Sequence, residues 1–266
     1  MTLPNSDVAL GTGDFTIETW VYLRSRANAY PAIFANINNF TTGALSLFAG
    51  HGSSTTTNFN VGHNGTFPAI NAGTPNYNQW DHLALVRNSG TITLYQNGTS
   101  IGSFSSTATL NGVGDTFYIG TTGDSITSGC IHGDYSNFRI VVGTAVYTGN
   151  FTPPSGELTK TGGTYPSTNN VNTSFSASHT KLLTAQGAIT DNSDNSVTIT
   201  NNGSVSTTPL TNSPYFYGDN NNWFDKSSSG HILTAYGDLE QLAFSPYRNN
   251  GYSVYFDGSG DYLRDD

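Results

Sequence analysis

The sequence predicts an all-β protein built as a sandwich of two antiparallel sheets, and three observations carry that prediction. First, apolar and polar residues alternate through 80–96. Leu83, Leu85 and Arg87 fall on one face against His82, Ala84 and Val86. Ile92, Leu94 and Gln96 then oppose Thr91, Thr93 and Tyr95. Second, Asn88-Ser89-Gly90 and Asn97-Gly98 punctuate those runs and supply the positive φ that tight hairpin turns need. Third, the composition favours strands and turns: aromatic residues make up 12%, there are 30 glycines, and charged residues are only 10% against roughly a quarter in an average soluble domain.

Taken in order, Gly11–Leu23 reads as a long strand. Phe15, Ile17, Thr19 and Val21 alternate with Thr16, Glu18, Trp20 and Tyr22, so it is apolar enough on both faces to lie centrally. Pro31–Phe34, Leu45–Phe48 and Asn58–Val61 give shorter strands, with a turn over 36–43 and a loop through Pro75 leading to the hairpin. Thr116–Gly120 and Cys130–Val142 follow. Pro153-Pro154 closes this region because proline has no N–H for a ladder. Trp20, Trp80, Phe15, Ile17, Leu83, Leu85, Leu94, Ile119 and Phe138 are the expected core.

Beyond Pro154 the pattern changes. Residues 155–178 hold few large apolar side chains and read as a loose linker. A partial repeat follows within a small β-rich module over 179–251. Asp191-Asn-Ser193 through Ser213-Pro-Tyr215 parallels Asp225-Lys-Ser227 through Ser245-Pro-Tyr247, each with a turn and then a short strand (197–199 and 231–233).

These motifs resemble a known family. Trp80-x-His82, with its alternating strand, short turn and Leu94-Tyr-x-Asn-Gly98, is similar to the central hairpin of laminin G-like (concanavalin A-like) jelly-rolls. Gly13-Asp-Phe-Thr-Ile-Glu18-x-Trp20 resembles the family's signature strand, and Thr116–Gly120 and Tyr135–Val141 resemble further strands. The run 130–154 resembles the closing segment of such modules in phage structural proteins, where they often stand in tandem. The resemblance implies a jelly-roll over 1–154. Tyr252–Leu263 resembles the segment that precedes the signature strand, and Leu182 and Asp191 lie in segments resembling a module's opening. The chain therefore reads as a circular permutation or as one period of an array, with strand 252–263 completing the sandwich of its own chain or of a neighbour.

Composition also bounds function. Net charge is −9 and no basic run exists, which speaks against a nucleic-acid partner. No run of about 18 apolar residues is present, so no spanning helix is expected. Met1–Asn5 lacks the basic and apolar regions of a signal peptide. Cys130 is the single cysteine, so no intrachain disulfide forms. Glycoside hydrolysis needs two cooperating carboxylates. The three glutamates, Glu18, Glu157 and Glu240, sit in unrelated contexts and none has a second carboxylate two residues on. The expectation is a protein that is not an enzyme.

Asp257 and Asp261 bracket a Gly-rich turn and Asp14 follows another. All three are candidate hard oxygen ligands for Ca²⁺, and Asp257 and Asp261 are alternatively Asx caps of turn amides. Candidate glycan contacts are the loop aromatics Tyr30, His51, His63, Tyr77 and Trp223. The resulting expectation is a structural or adhesion module of a virion appendage such as a phage fibre, at the virion surface or otherwise extracellular. Its expected partners are copies of itself, other appendage proteins and host glycans. A soluble calcium-dependent lectin is the alternative, and a polysaccharide-active enzyme the second.

Overall fold

The computed structural model describes residues 1–207 apart from 27, 37–40, 53–57, 113, 115, 124–127 and 204; beyond 207 it describes residue 214 and the backbone of five short strands. The chain divides into two compact units, Met1–Thr207 and Thr208–Asp266.

The first unit is a two-sheet antiparallel sandwich. One sheet is built from β1 (Thr2–Pro4), β3 (Ala32–Ala35), β4 (Leu45–Phe48), β5 (Phe59–His63), β6 (Thr66–Ala72) and β10 (Thr116–Ile119), in the order β1-β10-β3-β4-β5-β6. The other uses β2 (Phe15–Ser25), β7 (Trp80–Asn88), β8 (Thr91–Gln96), β9 (Thr99–Ser105), β11 (His132–Val142) and β14 (Thr180–Thr184), in the order β14-β11-β2-β7-β8-β9. β12 (Leu158–Thr159) and β13 (Gly162–Gly163) form a separate small pair.

Strand alternation sets the core. Leu3, Phe34, Leu45, Leu47, Phe59, Val61, Phe117 and Ile119 from the first sheet meet Phe15, Ile17, Val21, Leu83, Leu85, Ile92, Leu94, Phe138, Ile140 and Leu182 from the second. Each such side chain contributes about 1.5–3 kcal/mol by leaving water. β2 lies between β11 and β7, with Ile17 opposite both Ile140 and Leu85. That central place explains why both of its faces are apolar or satisfied. The two hairpins form as expected. Ser89 and Gly90 have φ of 49° and 82°, and Asn97 and Gly98 have 50° and 77°, the left-handed pairs that a two-residue turn between twisted strands requires. β6 and β9 were not anticipated. The run 66–72 contains Pro68, which an edge strand tolerates because an edge leaves N–H groups unpaired.

Trp20 and Trp80 depart from the expected core. Both are only partly buried. Trp20 pairs with His82 and Tyr22 with Trp80, on the face of β2 and β7 opposite Ile17 and Leu85. Alternation explains this: Trp20 shares parity with Glu18 and Tyr22, and Trp80 with His82, whereas Ile17 and Leu85 have the other parity.

That outer face is covered by the chain after β11. Ala145, Val146, Tyr147, Phe151 and Phe175 pack on Ala84, Val86, Tyr95 and Val141. Gly98 marks the close approach. A Cβ there would lie 1.9 Å from the Phe151 carbonyl oxygen, while the Phe151 N–H donates to the Gly98 carbonyl at 2.9 Å. Residues 155–178, read from sequence as a loose linker, carry the buried Leu158 and Phe175 and the β12–β13 pair. Their Gly, Ser, Thr and Asn content lets the chain lie close to the sheet, where Phe175, Tyr165 and Val171 pack on the outer cluster and Arg139 bonds to Thr159, Gly162 and Tyr165.

The sandwich is closed on one side by 180–200. β14 pairs with β11, placing Leu182 in the core, and Thr200 exchanges hydrogen bonds of 3.0 and 2.8 Å with Thr2. The Asp191-x-Ser193 motif is an Asx turn that caps the edge of β14. Asp191 Oδ1 accepts from the N–H groups of Leu183 and Ser193, and Oδ2 from Ser193 Oγ and the Val197 N–H. Residues 197–199 form no strand; Val197 instead enters the core. Asp191→Ala leaves backbone donors unpaired and is expected to cost about 1–3 kcal/mol, read as a lower urea midpoint with an unchanged slope.

In the second unit β15 (Trp223–Phe224) pairs with β16 (Ile232–Tyr236), and β17 (Glu240–Leu242) with β18 (Ser253–Tyr255). β19 (Tyr262–Asp265) pairs with β16. The described parts of the 252–263 segment, Ser253–Tyr255 and Tyr262 with Leu263, pair with strands of this unit. The rest of the second copy of the repeat, Asp225–Ser227 and 243–250, lies outside the described residues.

Candidate functional site

Two places concentrate chemistry in the first unit. The first is a cluster of side chains from the loops after β2 and β4 and from β4 and β6 themselves. Tyr30 is 37% exposed and, with Val205, is one of two large apolar side chains exposed among the described residues. The His51 ring packs edge-on to Tyr30 at 4.8 Å and lies 4.2 Å from Phe67, with buried Phe48 beneath at 5.7 Å from Phe67 and 6.1 Å from His51. Arg26 ties the loops together, with Nη2 donating to the Ala29 carbonyl at 3.2 Å and to that of Gly52. The loop is anchored further by Tyr30 N–H to Ser128 O at 2.9 Å and Asn28 Nδ2 to Cys130 O at 2.7 Å. Burial, and then the Arg26 charge, push the His51 imidazole below its usual value. At neutral pH it is therefore an uncharged stacking ring. Rings of this kind, on a braced platform with polar groups alongside, suit the apolar face and hydroxyl rim of a sugar.

The second place is a buried polar network on the covered face. Glu18 is 1% exposed. Its Oε1 accepts from Arg139 Nε at 2.9 Å and Nη2 at 2.6 Å. Its Oε2 accepts from the Tyr147 hydroxyl at 2.6 Å and lies 3.3 Å from His82 Nε2. Arg139 also donates to Tyr165 Oη, to the Thr159 carbonyl and to that of Gly162. Burial alone would push the Glu18 carboxyl up, but Arg139, His82 and Tyr147 outweigh it and hold the group down at about 2. The Arg139 guanidinium is correspondingly pushed up by Glu18 against its own burial. A carboxylate beside a histidine and an arginine has the residue types of an acid–base site. Here Glu18, His82 and Arg139 are all buried beneath 143–175, and their bonds are spent fixing that cover to the sheet.

A model of the concanavalin A-like lectin/glucanases superfamily, of laminin G type, matches residues 1–144. The chain belongs to this superfamily. Solved structures similar to this superfamily member match it at low identity. One is a putative carbohydrate-binding protein from Bacteroides ovatus, with 15% identity over 70% of this chain and 51% of that one, TM-score 0.46. Another is domain 4 of a GH43 extracellular arabinanase from Geobacillus stearothermophilus in complex with arabinotriose, with 17% identity over 50% and 62%, TM-score 0.39. A third comprises the LG4-5 domains of the mouse laminin α1 chain, with 15% identity over 56% and 44%, TM-score 0.36. The chain spans about half the length of the first of these. No curated protein matches it.

Within the superfamily fold, the residues singled out from sequence fall in different places. Tyr30 and His51 come together at the loop end. Tyr77 lies nearby, within reach of the Arg26 charge, but its ring packs on the main core and supports the loops. His63 is at the other end of β5, with Nε2 2.7 Å from Ser106 Oγ and its ring against Phe104. Trp223 belongs to β15 in the other unit. Phe67 and Arg26 were missed. Phe67 stands in a stretch read as loop, and Arg26 has no motif around it.

Asp14 Oδ1 accepts the Ser89 N–H at 2.8 Å, capping an amide of the β7–β8 turn, and its main-chain carbonyl accepts the Gly143 N–H at 2.8 Å. Asp257 and Asp261 lie outside the described residues. Among the described residues no group of three or more His, Cys, Asp or Glu converges as a metal site would.

Proposed function

We propose that this chain is a non-catalytic carbohydrate-binding module whose ligand stacks on Tyr30, His51 and Phe67, and that it serves as an adhesion or structural element of a virion appendage such as a phage fibre. The observation that carries the binding reading is the exposed Tyr30 ring on a braced aromatic platform. The covered outer face supports it from the other side. Among the described residues, the carboxylate–histidine–arginine grouping of Glu18, His82 and Arg139 is sealed under 143–175, whereas Tyr30 at the loop end is exposed. The appendage reading is supported by the resemblance to phage structural modules and by the Asp-x-Ser repeat.

Binding is tested on a glycan array with the intact chain. Native protein is expected to bind a restricted set of glycans. Tyr30→Ala and Phe67→Ala are each expected to weaken that binding roughly tenfold or more, the scale of losing one aromatic face, with melting temperature little changed. Binding that survives both substitutions would move the site elsewhere. Gold-labelled antibody on native particles tests the appendage role: label confined to the appendage supports it, and label absent from particles overturns it.

A further inference from the structure

We infer that Asn202-Gly203 is a site of spontaneous modification, where the Asn202 amide closes on the Gly203 nitrogen and water then leaves aspartate or isoaspartate beside the bridge that holds β1.

Asn64, Asn97, Asn111, Asn202 and Asn250 each precede a glycine. Ring closure is easiest there, because glycine has no Cβ to obstruct approach to its nitrogen. The fold treats these pairs differently. Asn97 is held at both ends of its amide: Oδ1 accepts the His82 N–H at 2.8 Å, and Nδ2 donates to Asp81 Oδ1 at 2.8 Å. Gly98 after it is pressed against the Phe151 carbonyl. Asn64 Oδ1 accepts the Gly43 N–H at 2.9 Å within the turn between β5 and β6. Asn111 Oδ1 accepts the Gly11 N–H at 3.0 Å. The nitrogen that would attack it is also engaged, since the Gly112 N–H donates to the Gly43 carbonyl at 3.0 Å. Asn250 lies outside the described residues.

Asn202 has none of these restraints. Both it and Gly203 are exposed, and a Cβ built on Gly203 would meet nothing within 4 Å. Its amide is tethered through Nδ2 alone, to Thr2 Oγ1 at 2.7 Å and, at the limit of a hydrogen bond, to the Thr200 carbonyl at 3.5 Å. Among the described residues neither its Oδ1 nor the Gly203 N–H has a protein partner. A tether on exposed chain opens readily.

The Gly203 nitrogen gives its proton to solvent hydroxide and forms a bond to Cγ of Asn202. The Cγ–Nδ2 bond breaks, and Nδ2 takes up a proton and leaves as ammonia. One water then opens the succinimide ring. Opening at Cγ gives aspartate; opening at the main-chain carbonyl gives isoaspartate, whose backbone runs through the former side chain. Either product loses the Nδ2 donor and adds a negative charge to a chain already at −9. In isoaspartate the free carboxylate hangs directly on Cα, too short to reach Thr2 Oγ1. The location gives the change its consequence. Thr2 and Thr200 exchange the two hydrogen bonds that tie edge strand β1 to the closing segment. Conversion therefore loosens that closure as the protein ages.

The test holds the intact chain in mildly alkaline buffer and follows each site by mass spectrometry of its peptides. Asn202 is expected to convert roughly tenfold faster than Asn64, Asn97 or Asn111, the scale set by the hydrogen bonds that restrain them. In urea the difference is expected to vanish. Gly203→Ala is expected to slow conversion at Asn202, because a Cβ crowds the attacking nitrogen. Amide hydrogen exchange at Thr200 is expected to be faster in the converted chain than in fresh protein. Conversion at Asn202 no faster than at the other three sites overturns the inference. A difference that persists in urea overturns selection by the fold, and a rate unchanged in Gly203→Ala overturns the cyclic route. Equal exchange at Thr200 before and after conversion overturns the effect on the bridge.

Discussion

Replacing Glu18 by alanine is expected to destabilise the sandwich by about 3–5 kcal/mol, because it strands the Arg139 guanidinium in a site with no access to water. The loss is larger than that of one hydrogen bond because four groups depend on the carboxylate: Arg139, His82, Tyr147 and, through Arg139, Tyr165. Much of the effect is the penalty of an unpaired buried charge. Glu18→Met combined with Arg139→Met is therefore expected to recover a large share of it, because removing both charges removes the desolvation cost with them. Equilibrium urea unfolding of the two single variants and the double variant measures this directly. A single variant as stable as the native chain would show that the network contributes nothing.

The same network sets a dependence on pH. The folded chain holds the Glu18 carboxyl at about 2, below its ordinary value of 4.5. As pH falls below 4.5 an unfolded chain takes up a proton that the folded chain refuses until about 2. The stability contributed by Glu18 is complete at neutral pH and is lost progressively across that acid window. The double methionine variant is expected to lose this part of the acid sensitivity, seen as a flatter fall of the urea midpoint between pH 5 and 2.

Phe138→Ala is expected to cost about 3–5 kcal/mol as well, through a cavity instead of a charge. Phe138 is 0% exposed, with ring centres 6.3 Å from Phe34, 6.4 Å from Phe117 and 6.3 Å from Tyr135. It stands where the two sheets meet, on β11 between β2 and β14. The neighbouring bulge between Ser136 and Arg139 fixes the local register, so the rings cannot slide to fill the space. Its ΔΔG should add to that of Tyr30→Ala, which shares no partner with it. Phe138→Leu, keeping most of the volume, should restore more than half of the loss.

Period-two alternation made β2, β7 and β8 legible residue by residue, and two left-handed Asn-Gly and Ser-Gly turns fixed how they connect. Both signals are local. They depend on the pleat and on φ at four residues, and no distant part of the chain can override them cheaply. The Asp191 turn was legible for the same reason, since its four bonds all close within a few residues or onto the adjacent strand. Even the superfamily could be read this way, because its signature strand and hairpin are themselves local patterns.

Parity along a strand says which residues share a face, but not which face is covered. Trp20 and Trp80 were therefore assigned to the core, when their face is the one that 143–175 lies across. Glu18 and Arg139, 121 residues apart, carry no sign in the sequence that they will pair. Only the antiparallel register of β2 with β11 sets them side by side. The platform of Tyr30, His51 and Phe67 is assembled in the same manner, from the loops after β2 and β4 and from β6. From the sequence alone came the all-β class, the central strands, the hairpins and the superfamily, because the energies that set them act between near neighbours. Tertiary structure decided the covered face, the buried ion pair and the aromatic site, because each depends on contacts made only after the two sheets have closed on one another.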